Sequence, residues 1–131
     1  HMSSTIDVKS FVVTLDCPDA LALATFYANL LGWRVDYDEE EPEWVDVFPP
    51  EGVPQHFSIS CQQIDHYRPP EWPEGEVPQQ LHFDFYVDSV EQSAIVAESV
   101  GARRHEYQPS EDGNFVVFVD PVGHLFCLCA T

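Results

Sequence analysis

The sequence predicts an α+β fold built from two βαβββ modules, each with one main helix. Three observations support this prediction. Each half opens with a strand-like run that leads directly into a helix, and each of these helices stops at a glycine. Residues of the first half also recur in the second half at offsets of 69 to 71 positions. We therefore expect eight strands in a curled, mostly antiparallel or mixed sheet that bears a cleft.

The first half supplies one complete module. Residues 11–17 have the apolar and β-branched composition of a strand, and Pro18-Asp19 then opens an Ala/Leu-rich helix that ends at Gly32. Acidic and proline-rich turns divide the remaining residues into three more predicted strands. These strands span residues 33–38, 44–48 and 55–63.

The second half opens on a strand with two chemically different faces, residues 81–87. Alternation places Leu81, Phe83, Phe85 and Val87 on an apolar face. The opposite face carries His82, Asp84 and Tyr86. Either Asp88 or Ser89 then occupies a helix N-cap position, and the helix that follows stops at Gly101.

The repeat predicts that the two modules share a core, because neither can bury both its sheet and its helix alone. At an offset of 69, Val13 falls on His82, and at an offset of 71, Trp44 falls on Phe115. We expect a single domain with a tail at 1–10, modules at 11–63 and 79–131, and a proline-rich connector at 64–78. His1-Met2 within that tail is typical of the remnant left by removal of an affinity tag.

Charge and composition exclude several classes of partner. The net charge of -18 repels phosphate backbones and anionic lipids, so neither nucleic acid nor a membrane is an expected partner. The excess of acid either serves solubility or lines a groove for a cationic ligand. The chain lacks a signal-peptide pattern, and its cysteines lack CxxC spacing, so we expect a cytoplasmic protein with buried, reduced thiols. The four cysteines are Cys17, Cys61, Cys127 and Cys129.

Several motifs resemble the glyoxalase-like branch of the vicinal oxygen chelate superfamily, over residues 11–129. They are the paired βαβββ plan, Phe26-Tyr27 before the Leu-Gly helix end, the turn at 120–124, and Trp72-Pro73 followed by the run 78–84. That superfamily includes glyoxalase I, extradiol dioxygenases and bleomycin-type antibiotic-binding proteins. The resemblance implies a fold that hosts lyases, oxygenases, epimerases and binding proteins without catalysis, and it implies a homodimer.

In metal-dependent members of that superfamily, the resemblance implies four ligands, usually His and Glu, on the first and last strands of each module. Here the four positions fall at or beside Val13 and on Ser58, His82 and Cys127. Only His82 matches the pattern, so we expect no metal cofactor.

An alternative set of His82, Cys127, Asp84 and His56 could suit zinc. The competing interpretation is that Cys127 is a small buried hydrophobe and His82 a hydrogen-bonded residue of the cleft wall.

The candidate ligand-binding residues combine aromatic, acidic and hydrogen-bonding side chains, and His82 is also the candidate catalytic residue. Aromatic residues of the connector either stack on a ligand or anchor a loop. The complete set is Trp44, Asp46, His56, Ser58, Tyr67, Trp72, His82, Asp84, Phe115 and Cys127.

Three functional hypotheses follow. The first is a binding protein without a complete metal site, which sequesters an antibiotic-like, cationic or aromatic ligand. The second is a lyase, isomerase or dioxygenase-type enzyme that uses His82 as an acid or base, or that uses a non-standard metal site. The third is a module that has lost its chemistry and acts through protein contacts.

Overall fold

The computed structural model describes residues 5–53 and 57–131, and the chain divides into two compact units at residues 1–64 and 65–131. The first unit contains β1 Phe11–Cys17, α1 Ala20–Leu31, β2 Arg34–Asp36, β3 Trp44–Phe48 and β4 Phe57–Gln63. The second unit contains β5 Phe83–Val87, α2 Val90–Ser99, β6 Arg103–Arg104, β7 Phe115–Val119 and β8 Leu125–Ala130. Neither helix in the described ranges has the length and apolar content needed to cross a bilayer.

Each unit is one βαβββ module with a mixed four-stranded sheet, which confirms the predicted fold class. The strand order is β1-β4-β3-β2 in the first unit and β5-β8-β7-β6 in the second. In both sheets the first and last strands of the module pair in parallel, and the other neighbours are antiparallel. The eight strands are thus divided equally between two sheets of the same topology.

One face of each sheet is covered by the helix of its own module. Helix α1 packs against β3 and β4, and α2 packs against β8 and β6. The first core includes Leu15, Tyr27 and Ile59, while Phe118 and Phe126 are fully buried in the second. The rings of Phe118 and Phe126 stack with their centroids 5.6 Å apart.

Both helices begin at the caps expected from the sequence. The side chain of Asp19 accepts a hydrogen bond from the amide of Ala22, and Gly32 ends α1 with φ of 70°. Of the two candidates for the second cap, Ser89 is the N-cap, and its hydroxyl accepts from the amide of Gln92.

The observed bounds of β1 and β3 agree with those expected from the sequence, whereas two other strands are shorter than expected. The expected strand at 33–38 is observed only over Arg34–Asp36, and the strand at 81–87 begins at Phe83. The first two residues expected in β4 lie outside the described residues. The connector contributes one isolated bridge, between Glu71 and Pro78.

The strand registers correct the alignment between the two modules. When the ladders are overlaid from β3 and β7 outward, Asp84 falls on Thr14. The first strands are therefore related by an offset of 70 (84 − 14), and Val12, rather than Val13, is the counterpart of His82. The physical reason is side-chain alternation, because a shift of one residue moves a side chain to the other face of a sheet.

Candidate functional site

Three side chains that can bind a metal or carry a proton converge beside the start of β5. His82 directly precedes β5 and Asp84 is its second residue, so both side chains lie on the face that sequence alternation predicts. Cys127 is the register partner of Asp84 on β8. Nε2 of His82 lies 3.4 Å from Oδ1 of Asp84, and the donor atoms of all three residues lie within 4.8 Å of one another.

The surroundings of the cluster keep its thiol protonated. Burial raises the pKa of Cys127 to about 12, and the negative charge of Asp84, the neighbouring Cys129 and a thiol hydrogen bond to Asp84 add to the shift. Burial and then the charge of Asp84 also raise the pKa of Cys129. Neither thiol is therefore a ready nucleophile at neutral pH in the metal-free protein.

A largely apolar cavity of about 220 Å³ adjoins this cluster within the second unit. Trp72 and Phe115 supply its aromatic surface, and both pack against the buried side chains of β7 and β8. His82 and Cys127 belong at once to the cavity wall and to the three-residue cluster. The complete lining is Trp72, Gln79, His82, Pro109, Phe115, Val117, Leu125 and Cys127.

Ring contacts hold the connector residue Trp72 in the cavity wall, and hydrogen bonds hold the residue before it. The centroid of the Trp72 ring lies 5.1 Å from the ring centroid of His105 and 5.4 Å from that of Tyr107. The preceding residue, Glu71, accepts hydrogen bonds at Oε1 from the amides of Glu76 and Val77. The connector is thus an ordered wall, and Trp72 lines the cavity.

Tyr67 has a different position from Trp72 in the same connector. Its hydroxyl lies 3.3 Å from Nε2 of His124, beside the start of β8. The contact ties the connector to the second sheet, as expected for a residue that anchors a loop.

The loop before β7 is held to the cavity by one amide side chain. The Nε2 of Gln108 donates to the carbonyl oxygens of His105 and Val117, and its Oε1 accepts from the amide of Val117. Gln108 thereby bonds to the backbone amide and carbonyl of Val117, which a neighbouring strand would otherwise use. The next residue, Pro109, contributes to the cavity wall.

Gln79 contributes the cavity's unmatched polar group. Its Oε1 atom is buried, and it has no hydrogen-bond partner among the described residues. A buried acceptor of this kind is costly unless a ligand or water supplies a donor. Sequence reasoning missed Gln79, because nothing in the run Pro78-Gln79-Gln80 distinguishes it from its exposed neighbour.

A second cavity of about 420 Å³ lies at the β6 edge of the same unit. Its mixed lining combines Arg103, His105, Glu71 and Glu74 with Trp72 and with proline and aliphatic side chains. Trp72 and Leu125 line both cavities. Arg103, an exposed residue of β6, therefore borders a concave surface.

Two candidate residues of the first unit, Trp44 and Asp46, are hydrogen-bonded to each other. The Oδ1 atom of Asp46 accepts hydrogen bonds from Nε1 of Trp44 at 2.9 Å and from the hydroxyl of Ser60 at 2.5 Å. Ser58 is buried on β4. The remaining candidate, His56, lies outside the described residues.

The four-ligand metal centre implied by the family resemblance does not fit these residues. Val12, the observed counterpart of His82, has no donor atom, and Ser58 offers only a buried hydroxyl. The register also makes Ser60, rather than Ser58, the counterpart of Cys127, and the hydroxyl of Ser60 already donates to Asp46. His82 and Cys127, which stand at two of the four implied positions, instead form a three-donor set with Asp84 within one unit.

Comparison with known proteins places this geometry in a family context. Residues 12–129 match the family model described as a glyoxalase-like domain. No curated protein matches the chain.

Solved structures share its fold. A glyoxalase/dioxygenase from Nostoc punctiforme is similar with a TM-score of 0.66 at 16% identity, over 99% of this chain and 98% of that one. A genomically encoded fosfomycin resistance protein from Listeria monocytogenes gives 0.65 at 18%, over 99% and 95%. An antibiotic binding protein from Streptomyces sp. CB03234 gives 0.57 at 19%, over 99% and 98%.

Proposed function

This chain belongs to the glyoxalase-like domain family of the vicinal oxygen chelate superfamily, and from that premise we propose that it binds an aromatic small molecule carrying a hydrogen-bond donor. The observation that carries the proposal is the 220 Å³ cavity, which combines aromatic walls with the unpartnered acceptor of Gln79. Binding sites for small molecules typically pair such apolar surface with a few polar groups that fix orientation.

The cavity favours a ring system over a bulkier ligand. Its volume lies below the range of about 300 to 1,000 Å³ that is typical of drug-sized ligands, so one or two fused rings would fill it. Trp72 and Phe115 offer ring surfaces for stacking or edge contacts. An N–H or O–H of the ligand would satisfy Oε1 of Gln79 and remove the cost of its burial.

Charge favours a neutral or cationic form of this ligand. The net charge of -18 attracts cations, and Asp84 lies beside the cavity residue His82. An antibiotic binding protein is among the structural neighbours, and we propose the same class of activity here, sequestration of an antibiotic-like ligand without the family's four-ligand metal centre.

The proposal is tested by calorimetric titration with small aromatic amines and phenols, each paired with a methylated analogue that lacks the donor. We expect compounds with a donor to bind more tightly than millimolar, and the blocked analogues to bind at least about tenfold more weakly. If no compound of either kind binds more tightly than weak millimolar, sequestration is wrong.

Two variants connect binding to the cavity. Phe115→Ala removes an aromatic wall and should weaken binding by about tenfold or more. Tyr86→Ala is the matched control, because Tyr86 lies on the same sheet, is 68% exposed and does not line the cavity. Equal effects of the two substitutions would mean that the ligand binds elsewhere.

The contact between Nε2 of His82 and Oδ1 of Asp84 supports a second candidate, an enzyme of the lyase, isomerase or dioxygenase type. Asp84 is placed to orient the imidazole of His82, which could then act as a general acid or base on a cavity ligand. Both side chains are about two-fifths exposed, so a substrate can reach them.

This second candidate makes a different prediction for one variant. His82→Ala should abolish turnover of a substrate and leave the circular dichroism spectrum unchanged. Turnover that survives the substitution would exclude His82 as the acid or base.

A further inference from the structure

The cluster of His82, Asp84 and Cys127 combines one imidazole nitrogen, one carboxylate oxygen and one sulfur. Zinc accepts all three donor types and commonly binds three protein ligands with a fourth position left open. A sulfur ligand disfavours magnesium, calcium and manganese, which prefer oxygen-rich sites. The donor chemistry of this cluster therefore differs from the His and Glu set implied by the family resemblance.

We infer that His82, Asp84 and Cys127 bind one zinc ion within the second unit, with the fourth coordination position open toward the cavity. His82 and Cys127 both line that cavity, so the ion would lie at its wall. Occupation of the fourth coordination position rests on the proposed function, because the ligand that would fill this position is the molecule bound in the cavity. The three-ligand site itself does not depend on it.

The geometry needs only a small adjustment to hold the ion. Bond lengths of about 2.0 to 2.3 Å in a tetrahedral site place the donor atoms about 3.5 Å apart. Nε2 of His82 and Oδ1 of Asp84 are already 3.4 Å apart, and all donor atoms lie within 4.8 Å of one another. His82 and Asp84 are each more than 40% exposed, so their side chains can rotate toward the ion without disturbing the core.

The backbone holds two of the ligands firmly in place. Asp84 and Cys127 are register partners in the parallel ladder of β5 and β8, and Cys127 is 8% exposed. Ligands carried on strands are positioned more accurately than ligands carried on loops. A positive ion here would also offset the carboxylate charge of Asp84 in a chain of net charge -18.

The test uses the full chain after treatment with a chelator and removal of that chelator. Titration with cobalt(II), a spectroscopic substitute for zinc, should give a charge-transfer band from sulfur to cobalt that saturates at one ion per chain. Zinc should displace the cobalt and abolish the band, whereas an equal concentration of manganese(II) should not. Absence of the band, or saturation with only nitrogen and oxygen ligands, would overturn the inference.

Variants distinguish this site from adventitious binding. Cys127→Ser should abolish the band, and Asp84→Asn or His82→Gln should weaken cobalt binding by at least about tenfold. His66→Gln is the matched control, because His66 is an exposed histidine outside the cluster. If His66→Gln weakens binding as much as His82→Gln, the assigned site is wrong. Asp84 is exposed enough that Asp84→Asn tests the site even if Cys127→Ser fails to fold.

The zinc site and the proposed ligand site can fail separately. Cobalt binding that persists when no aromatic compound binds would support the ion site and exclude the proposed function. Binding of an aromatic compound when no cobalt band appears would support the proposed function and overturn the zinc site. If both are correct, saturation with an aromatic ligand should change the cobalt spectrum, because the fourth coordination position adjoins the cavity.

Discussion

Gln79 buries a carbonyl oxygen that has no partner among the described residues, and such a group lowers stability in the ligand-free protein. Gln79→Met keeps a similar shape and removes the unmatched acceptor. We expect it to raise the free energy of unfolding by on the order of 1 kcal/mol and to lower the affinity for the aromatic ligand. Urea denaturation measures the first effect and calorimetry the second.

The neighbouring Gln80 provides the control for this prediction. Its side chain is exposed, so Gln80→Met should change neither quantity appreciably. A Gln79→Met variant that is less stable than the parent would show that water or another group already satisfies the oxygen.

The environment of Cys127 predicts its chemical reactivity. Because burial and Asp84 raise the pKa of this thiol to about 12, it stays protonated at about pH 8, where a free cysteine is partly ionised. Asp84→Asn removes the repelling charge, lowers this pKa and should accelerate alkylation of Cys127 by iodoacetamide. Mass spectrometry of the peptide containing Cys127 follows the rate.

Exposed Asp88 lies beyond the end of β5 and supplies the comparison. Asp88→Asn should leave the alkylation rate of Cys127 unchanged. Equal rates in the Asp84→Asn and Asp88→Asn variants would mean that burial alone controls the thiol.

At the scale of elements, the turn before β8 depends on one buried carboxylate. Oδ1 of Asp120 accepts hydrogen bonds from the amides of Val122, Gly123 and His124, and Asp120 is 2% exposed. Asp120→Ala leaves these amides without that acceptor, so we expect a loss of on the order of 3 kcal/mol in the free energy of unfolding. Guanidinium denaturation measures this loss.

A second aspartate tests whether burial is the cause. Asp112 also accepts hydrogen bonds from nearby groups, Ser110 and Asn114, which lower its pKa, but it lies in an exposed loop. Asp112→Ala should therefore reduce the free energy of unfolding much less than Asp120→Ala does. A similar cost for both substitutions would contradict the role assigned to burial at Asp120.

Element bounds were predictable where local chemistry determines them. Asp19 and Gly32 bound α1 as expected, because an N-cap side chain and a left-handed glycine act within a few residues of the chain. The strand expected at 33–38 is shorter because β2 is an edge strand with only β3 beside it, and its ladder ends at Asp36. Pairing with the next strand, β3, and not the composition of residues 33–38, set that limit.

At the scale of the whole molecule, the charge of -18 predicts a marked dependence of stability on salt. Raising NaCl from about 0.01 M to about 1 M shortens the screening length from about 30 Å to about 3 Å and reduces repulsion among the carboxylates. We expect the thermal midpoint to rise by on the order of 5 °C. Differential scanning calorimetry measures it.

The exposed acidic turn at 39–41 allows a matched comparison. Replacing its three glutamates with glutamine should reduce the rise in midpoint produced by salt, because fewer like charges remain to be screened. A midpoint that does not rise with salt in the parent chain would contradict self-repulsion as a destabilising term. The expected homodimer remains a prediction, which light scattering after size exclusion tests.

The sequence by itself determined the two βαβββ modules, the caps of α1 and the shared face of His82 and Asp84 at the start of β5. These features follow from alternation and capping, which act over short stretches of chain. Tertiary structure alone decided that Cys127 lies beside Asp84, that Val12 is the counterpart of His82, and that Gln79 is buried without a partner. Each of these depends on strand register or on packing between residues distant in sequence, and a shift of one position in register would reverse the faces of a strand.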